Sequence, residues 1–371
     1  MPDTAPNPHE LEISVFGPGF GECILVHVGD GDWVIVDSCI DRKSGQPIAL
    51  DYLRSIGVNV ASQVKLVVAT HWHDDHIRGI AQVLHATPGA RFVDSDAYPF
   101  KELVEMVEIG ATSPSHSSAT KEYHQILSIL KKRQERGQRA ETVGPVRAIA
   151  NRRLLALTNA ERALQAEVFS LSPADSSIAL ARAELSYALD AIKDRSRPPK
   201  QGANEFSIVL WLKVGALDVM LGADLEHVSG TTEGWRAILR SAERPSGHAR
   251  FFKVPHHRSE NADCPESWTE LLSQQPIAVV TAHSPSRRPR PSDISRLCAR
   301  TQHVLLTSDP YRYALPRRDK AVERTMNETA LSRRVLSGQM GHVRVRCDAR
   351  TVGENPMIEL RNGAKRTCAS Q

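Results

Sequence analysis

The sequence lacks several features that would place the protein in a specialised class. Its 371 residues contain no run of about eighteen apolar residues, the minimum for a membrane-spanning helix. Residues 1–8 have neither the basic start nor the apolar core of a secretory signal, so we expect a short loose tail there. With 41% hydrophobic and 24% charged residues, the composition is that of a soluble globular protein.

Paired cysteines and a strong net charge are also missing. The six cysteines contain no Cys-x-x-Cys pair, which argues against a structural zinc knuckle and against a disulfide framework. This cysteine usage predicts a cytoplasmic protein. The net charge of +4 is mild, so composition alone does not predict a nucleic-acid-binding protein.

The most informative stretch is residues 70–76, Thr-His-Trp-His-Asp-Asp-His, directly after the apolar run 64–69. That run predicts a buried strand, and alternation along an extended chain can aim two of the histidines to the same side. Neutral imidazoles and carboxylates are ligands for zinc, manganese or iron. Four such groups could supply half the ligands of two adjacent ions: His71, His73, Asp75 and His76. The alternative is an ordinary surface loop that happens to be rich in histidine.

Other metal-binding residue types also follow predicted strands. Asp224 comes after the strand 217–222, the pair His256 and His257 after 250–255, and His283 after 276–281. Side chains that converge from several strand ends are typical of a crevice at one rim of a layered α/β fold. Asp37 ends an earlier predicted strand, where it is either the partner of a ligand histidine or simply a turn residue.

The pattern His-x-His-x-Asp-His at 71–76 resembles the signature of the metallo-β-lactamase superfamily. Its members hold one or two metals between two β-sheets flanked by helices. The resemblance implies an α/β fold, a four-layer αββα sandwich. We expect a single domain over 1–371 that carries a largely helical insertion at 101–202 and a basic C-terminal extension with short strands at 311–371.

A narrower resemblance covers roughly residues 11–310. The blocks 204–210, 222–226 and 253–259 resemble the metallo-β-lactamase-like domain of bacterial DNA-uptake channel proteins and their free-standing relatives. The chain departs from that pattern where Arg258 replaces glycine, where Glu205 replaces a polar amide and where Arg290 replaces histidine. These departures leave the substrate open. The candidates for substrate binding are Asn204, Ser207, Arg258 and Arg290.

The superfamily motif also implies how the ligands divide between two divalent ions, zinc or manganese. His71 and His73 would hold one ion, Asp75 and His76 the other, with Asp224 as the bridging carboxylate. The candidates that complete the two shells are His257 and His283. The sequence does not distinguish His256 from His257; the one that is not a ligand would face the substrate as a proton donor or oxyanion partner. Each of these three histidines could instead be structural. Our candidates for catalysis are Asp75 and His256.

Two adjacent metal ions favour hydrolysis of a phosphodiester, because a bridging water becomes hydroxide near neutral pH and the ions neutralise developing charge. We therefore expect a phosphodiesterase or nuclease that acts on nucleic acid or a nucleotide. Arginines near the predicted site could hold phosphate oxygens or belong to a solvated loop: Arg258, Arg287, Arg288 and Arg290. The alternatives are hydrolysis of a small non-nucleic substrate, such as a phosphodiester, thioester or lactam, and a partner-binding subunit of a multi-protein complex.

Basic segments in the predicted insertion and tail are further candidates for partner binding. A helical apolar stripe through Tyr123, Ile126 and Leu130 is accompanied by the basic residues Lys131, Lys132, Arg133, Arg136 and Arg139. They could contact nucleic-acid backbone or form a solvated helix face, and the insertion could dock a protein partner. In the tail, the alternation at 343–346 predicts a half-exposed edge strand on which positive charge discourages unwanted pairing.

Overall fold

The computed structural model describes residues 4–17, 21–41, 43–97, 118–193, 203–227, 232–310, 319–329, 340–353 and 355–368. Two eight-stranded mixed sheets organise these residues. The first sheet has the strand order β15-β14-β1-β2-β3-β4-β5-β6 and the second has the order β16-β13-β12-β11-β10-β9-β8-β7. In both sheets, four consecutive strands run parallel: β3 to β6 in the first and β10 to β13 in the second.

The strands of the first sheet are β1 Glu10–Phe16, β2 Cys23–Val28, β3 Trp33–Val36, β4 Val64–Val68, β5 Arg91–Ser95, β6 Pro145–Ala148, β14 His342–Asp348 and β15 Met357–Arg361. Those of the second sheet are β7 Arg152–Leu157, β8 Ala166–Ser170, β9 Leu210–Val214, β10 Leu217–Leu221, β11 Ala249–Lys253, β12 Leu272–Val280, β13 Val304–Leu306 and β16 Lys365–Arg366. The helices are α1 Ile48–Ser55, α2 Val60–Gln63, α3 Asp74–Ile77, α4 Ile80–Ala86, α5 Ser118–Glu135, α6 Asp175–Lys193, α7 Gly234–Arg240, α8 Pro265–Glu270, α9 Pro291–Cys298 and α10 Lys320–Thr329.

The apolar core forms three layers, and strand β4 shows why. Leu66 and Val68 point into the core between the two sheets, whereas Val64 and Val67 point to the outer face, where α1, α4 and α5 pack. A strand buried on both faces needs a continuous apolar run, which is what this segment has. The outer face of the second sheet packs on α7, α8 and α9. The predicted four-layer αββα sandwich is therefore confirmed.

The segment predicted as a largely helical insertion differs from that expectation in its middle. Helices α5 and α6 lie within it, but three strands between them join the sheets: β6 extends the first, and β7 and β8 extend the second. Several of their apolar side chains are buried, including Leu154 and Val168 in the core between the sheets. These strands are only four to six residues long, so their periodicity is a weak signal. Residues 101–117 and 194–202 lie outside the described residues.

Arg133 is part of the core packing and not of a basic binding face. The α5 stripe is buried as predicted, at Tyr123, Ile126 and Leu130, but Arg133 is buried beside it with only 4% of its surface exposed. Its guanidinium donates to four backbone carbonyl oxygens, those of Leu84, Thr87, Ala90 and Thr142. Arg133 therefore ties α5 to the chain around α4 and cannot contact nucleic acid.

Strand β14 is not the half-exposed edge strand that its alternating sequence predicts. It lies between β1 and β15, and both of its arginines are buried. Arg346 forms an ion pair with the buried Glu12, and Arg344 forms one with Glu359. The arginines alternate because they face these carboxylates on neighbouring strands. Residues 311–318 and 330–339 of the basic tail lie outside the described residues.

The structure also joins Cys298 to Cys368 in a disulfide, which the sequence analysis did not predict. Strand β16 pairs with β13, and this pairing carries Cys368 to the end of α9, across 70 residues of chain. No helix in the described part of the chain combines the length and apolar character of a membrane span.

Candidate metal centre

The candidate site lies where the parallel strands of both sheets end. From the first sheet, β3 leads to Asp37, and β4 leads to His71 and then to α3, which begins at Asp74. From the second sheet, β10 leads to Asp224, β11 to His257 and β12 to His283. Because parallel strands carry their carboxyl ends to the same edge of a sheet, these side chains converge at one rim of the sandwich.

The ligand atoms of two overlapping groups lie within 4.8 Å of one another: His71, His76 and Asp224 form one group, and Asp75, His76 and His257 form the other. His76 Nε2 is 3.4 Å from Asp224 Oδ1 and 3.9 Å from Asp75 Oδ2. His257 Nε2 is 3.4 Å from Asp75 Oδ2 and 3.8 Å from Asp224 Oδ2. Two carboxylates are thus shared among imidazoles from both sheets.

The three buried imidazoles present their Nε2 atoms to the centre because hydrogen bonds occupy their Nδ1 atoms. His76 Nδ1 donates to Asp37 Oδ2 at 2.7 Å, and His257 Nδ1 donates to the Thr281 carbonyl oxygen at 3.0 Å. His71 Nδ1 is 3.0 Å from Thr70 Oγ1. Because Nδ1 is engaged in these contacts, Nε2 is the ring nitrogen that each imidazole can offer to a metal.

Asp37 is hydrogen-bonded to His76, a candidate ligand, and is not merely a turn residue. Besides accepting from His76, its carboxylate accepts from the backbone N–H and the hydroxyl of Thr70, both at 2.8 Å. Asp37 thereby links the end of β3 to the end of β4 and fixes the orientation of His76. Hydrogen bonds of this kind set the tautomer and raise the basicity of a ligand imidazole.

The charges of the centre follow from this packing. Burial and the neighbouring His76 lower the pKa of His71 well below its ordinary value, which keeps the imidazole neutral. Burial opposes ionisation of both aspartates, but His76 and His257 outweigh it and lower the pKa values of Asp75 and Asp224. Burial opposes protonation of His76, but Asp224, Asp37 and Asp75 outweigh it and raise the pKa of this imidazole well above its usual range, so a metal that binds His76 Nε2 must displace a proton.

The structure distinguishes the two adjacent histidines that the sequence could not. His257 turns into the centre, whereas His256 Nδ1 lies 3.1 Å from Glu226 Oε1 and His256 Nε2 lies 3.2 Å from the Asn204 amide nitrogen. The separation arises because residues 256–258 all have positive φ angles, 45°, 50° and 67°, so the chain turns left-handed directly after β11. Glu226 also accepts from the Asn204 amide at 2.8 Å.

The other predicted ligands lie at the border of the centre. The His283 ring stacks on the His257 ring with centroids 4.9 Å apart, and His283 Nε2 is 3.7 Å from Asp75 Oδ2. The His73 ring is 4.9 Å from the His71 ring, centroid to centroid. Burial lowers the pKa of both imidazoles, that of His283 to about 4 with help from His257. Both rings are partly exposed and therefore open to substrate or solvent.

The four predicted substrate-binding residues differ in their exposure and in their contacts with the centre. Asn204 contacts His256, and Ser207 is fully buried with a hydroxyl that has no hydrogen-bond partner in the described part of the chain. Arg290 is exposed at the start of α9. Arg258 does not fit the predicted role, because it is 2% exposed and both of its terminal nitrogens lie 2.8 Å from Asp263 carboxylate oxygens.

Sequence reasoning missed a buried ion pair beside the centre. Lys253 Nζ is 2.6 Å from Glu22 Oε2 and 3.8 Å from Asp224 Oδ1. Lys253 occupies a position in the apolar strand β11 where every neighbour is buried, and a lysine there requires a buried partner. A lysine within this apolar strand could have indicated a buried ion pair. Nothing in the sequence identifies Glu22 as its partner.

The residues present fit a divalent metal. His71 Nε2, His76 Nε2 and Asp224 Oδ1 are buried atoms without hydrogen-bond partners among the described residues, although buried polar atoms are normally paired. Their donor set of imidazole nitrogen and carboxylate oxygen suits zinc, manganese or iron. The residues whose atoms would hold the metal are His71, Asp75, His76, Asp224 and His257.

Comparison with known proteins agrees with this arrangement. A sequence profile described as the Metallo-beta-lactamase superfamily matches residues 16–261, about two thirds of the chain. The chain belongs to the metallo-beta-lactamase superfamily. The matched region contains every strand end that carries a candidate ligand except the one before His283. A search of curated protein sequences found no match.

Solved structures of this superfamily are among those similar to the chain. The metallo-beta-lactamase fold protein YhfI from Bacillus subtilis is 12% identical, with 66% of this chain and 70% of that one covered and a TM-score of 0.31. MEM-A1, a subclass B3 metallo-beta-lactamase from a soil metagenome library, is 11% identical, with 79% and 86% covered and a TM-score of 0.33. Human tRNase Z, short form, is 10% identical, with 79% and 91% covered and a TM-score of 0.35. The narrower resemblance to DNA-uptake proteins stays a prediction.

Proposed function

We propose that this metallo-beta-lactamase superfamily protein is a metal-dependent hydrolase that cleaves a phosphodiester in nucleic acid or a nucleotide. The observation that carries the proposal is the convergence of unpartnered buried atoms, His71 Nε2, His76 Nε2 and Asp224 Oδ1, at one rim of the sandwich. When two divalent ions such as zinc or manganese are bound, they supply hydroxide near neutral pH and neutralise negative charge on the attacked group.

Some residues around the centre orient the candidate ligands, and others are placed to contact the substrate. Asp37 and Thr281 hold the imidazoles of His76 and His257 in orientation through their Nδ1 atoms. His256 and Asn204, fixed side by side by Glu226, border the centre on the second sheet. In this proposal the His256–Asn204 pair contacts the substrate, and the partly exposed His73 and His283 close the centre on the other sides.

A short basic hairpin favours the proposal that the substrate carries phosphate. His283 and Arg288 exchange backbone hydrogen bonds in both directions, at 2.9 and 3.0 Å, so residues 284–287 form a tight turn directly beside the centre. Arg287 and Arg290 are exposed on and next to this turn. Guanidinium groups in this position can bind phosphate oxygens with two parallel hydrogen bonds.

The test is hydrolysis by purified protein with added manganese or zinc. The panel contains single- and double-stranded DNA, RNA, cyclic dinucleotides and a chromogenic phosphodiester. We expect cleavage by the wild type that is lost in His71→Ala and retained in the control His85→Ala, which removes an exposed histidine of α4. Metal-loaded wild-type protein that cleaves none of these substrates would contradict the phosphodiesterase proposal.

A cluster of glutamates favours a small substrate as the second candidate. Burial raises the pKa of Glu205, and the nearby Glu184, Glu226 and Glu233 raise it further. This negative charge, next to Asn204 and His256, would repel a long polyanion passing over the second-sheet side of the centre. Cleavage of the chromogenic phosphodiester or of cyclic dinucleotides, but not of DNA or RNA, would favour this candidate over a nuclease.

A further inference from the structure

Glu22 touches three parts of the candidate metal centre although it lies directly before strand β2 of the first sheet. Its Oε2 atom is 2.6 Å from Lys253 Nζ and accepts from the Thr281 hydroxyl at 2.5 Å. Its backbone N–H donates to the Asp75 carbonyl oxygen at 2.8 Å. The side chain is fully buried. One residue therefore contacts the first turn of α3, at Asp75, and the ends of two strands of the opposite sheet.

The glycine before Glu22 allows this close approach. Gly21 has φ of +103°, and a Cβ atom there would lie 2.6 Å from the Cβ of Cys39. A side chain at this position would push the segment away from Asp75 and Cys39, so the local backbone is built to bring Glu22 to the centre.

The two side chains that Glu22 contacts, Thr281 and Lys253, each lie beside a different candidate ligand. Thr281 offers its hydroxyl at 3.1 Å and its carbonyl oxygen at 3.0 Å to His257 Nδ1, so Glu22 fixes the hydroxyl that borders this imidazole. Lys253 lies 3.8 Å from Asp224 Oδ1 and donates at 3.0 Å to the carbonyl oxygen of Ala223, the residue before Asp224.

Glu22 also neutralises the charge of Lys253. Lys253 is fully buried, and a buried ammonium group without a carboxylate partner is strongly unfavourable. While Glu22 neutralises it, the ammonium group stays 3.8 Å from Asp224. Without Glu22, Asp224 is the carboxylate left within 4 Å among the described residues, and Lys253 would then compete with the metal for it.

We propose that Glu22 is a positioning residue of the metal centre, which holds Lys253 off Asp224 and holds Thr281 against His257. This inference rests on the proposed metal-dependent function but not on its substrate. It assigns the buried Glu22–Lys253 pair a role in metal affinity, beyond its contribution to folding.

The test compares Glu22→Gln with Glu12→Gln. Glu12 is a matched control because it is also a fully buried glutamate of the first sheet that forms an ion pair, with Arg346, away from the centre. Zinc affinity is measured by competition with a chelating dye, and coordination geometry by the visible absorption of the cobalt-substituted protein. We expect Glu22→Gln to weaken zinc binding about 10- to 100-fold and to change the cobalt spectrum, since outer partners of metal ligands have effects of this size. Glu12→Gln should do neither.

A double variant separates positioning from folding. In Glu22→Gln combined with Lys253→Met, the competing ammonium group is gone, so zinc affinity should recover to within about tenfold of the wild type. A purely structural role predicts the opposite, a further loss. The inference is overturned if Glu22→Gln binds zinc like Glu12→Gln, or if the double variant binds it no better than Glu22→Gln. Wild-type protein that binds no metal would instead contradict the metal-dependent function itself, so the two failures are distinguishable.

Thr281 provides a milder pair of variants if Glu22→Gln does not fold. Thr281→Val removes the hydroxyl between Glu22 and His257 at nearly constant volume, and Thr281→Ser restores it. We expect Thr281→Val to weaken zinc binding and alter the cobalt spectrum, and Thr281→Ser to behave like the wild type. Equal zinc affinity in the two variants would overturn the proposed link to His257.

Discussion

The ion pair between Arg258 and Asp263 predicts an asymmetric response to mutation. Asp263 binds both terminal nitrogens of Arg258 at 2.8 Å and also accepts from Arg300 at 2.7 Å. The Arg258 guanidinium has no other hydrogen-bond partner among the described residues, and the residue is 2% exposed. Asp263→Ala therefore leaves a buried guanidinium uncompensated, which costs about 3–5 kcal/mol in the free energy of unfolding.

Arg258→Gly should cost less than this, for two reasons. Asp263 keeps Arg300 as its partner, so no buried charge is left alone. In addition, Arg258 has φ of +67°, a conformation that costs a non-glycine residue about 1–2 kcal/mol and glycine almost nothing. Relief of this backbone strain offsets much of the lost hydrogen bonding. We therefore expect the free energy of unfolding to fall by less than about 2 kcal/mol.

Urea unfolding followed by tryptophan fluorescence measures both values, with Trp268 lying under the Arg300 guanidinium as a local reporter. The control is Glu167→Gln, which removes the partner of Arg153, an arginine with 57% of its side chain exposed, and should change stability by no more than about 0.5 kcal/mol. If Arg258→Gly is as destabilising as Asp263→Ala, the reasoning is refuted, because packing of the arginine side chain would then outweigh its charge.

Three further predictions concern the site and the core. His257→Ala should reduce the metal content measured by mass spectrometry, whereas His256→Ala should keep it and lower turnover; the reverse result would contradict their placement. Burial raises the pKa of Asp94 to about 7 from 3.8, so wild-type stability should fall relative to Asp94→Asn between pH 4 and 7, by at most about 1.4 kcal/mol per pH unit. A wild-type stability that rises over this range in urea unfolding would mean that the ion pair with Arg147 dominates. Arg133→Met should cost at least about 3 kcal/mol in the same assay, because four carbonyl oxygens lose their donor, and a loss below 1 kcal/mol would refute this reasoning.

The sequence was sufficient to predict features that depend on local pattern. The apolar run before His71 became β4. The fold class followed from a motif of six residues. Asp224, the pair His256 and His257, and His283 could be selected from the sequence because each follows a strand, and the carboxyl ends of parallel strands meet at one edge.

Features that depend on distant partners could not be predicted. Arg346 and Glu12 are 334 residues apart, and only their pairing on adjacent strands shows that an apparently exposed arginine is buried. The choice between His256 and His257 depends on three consecutive positive φ angles, which are stabilised by contacts such as the backbone hydrogen bond from His256 to Ala223. The local sequence pattern does not predict such contacts.

The candidate metal centre is shared between the two sheets, and this division would couple metal binding to the fold. His71, Asp75 and His76 come from the first sheet, whereas Asp224 and His257 come from the second. The ligand atoms can converge only when the sheets are packed against each other, so an unfolded chain offers a much poorer site. Metal that binds the native state alone stabilises it by about 2.7 kcal/mol at a free concentration one hundred times its Kd. Substitutions in the core between the sheets should therefore weaken the apparent metal affinity only once they populate the unfolded chain, and added metal should then restore the native state even where the substitution lies far from any candidate ligand.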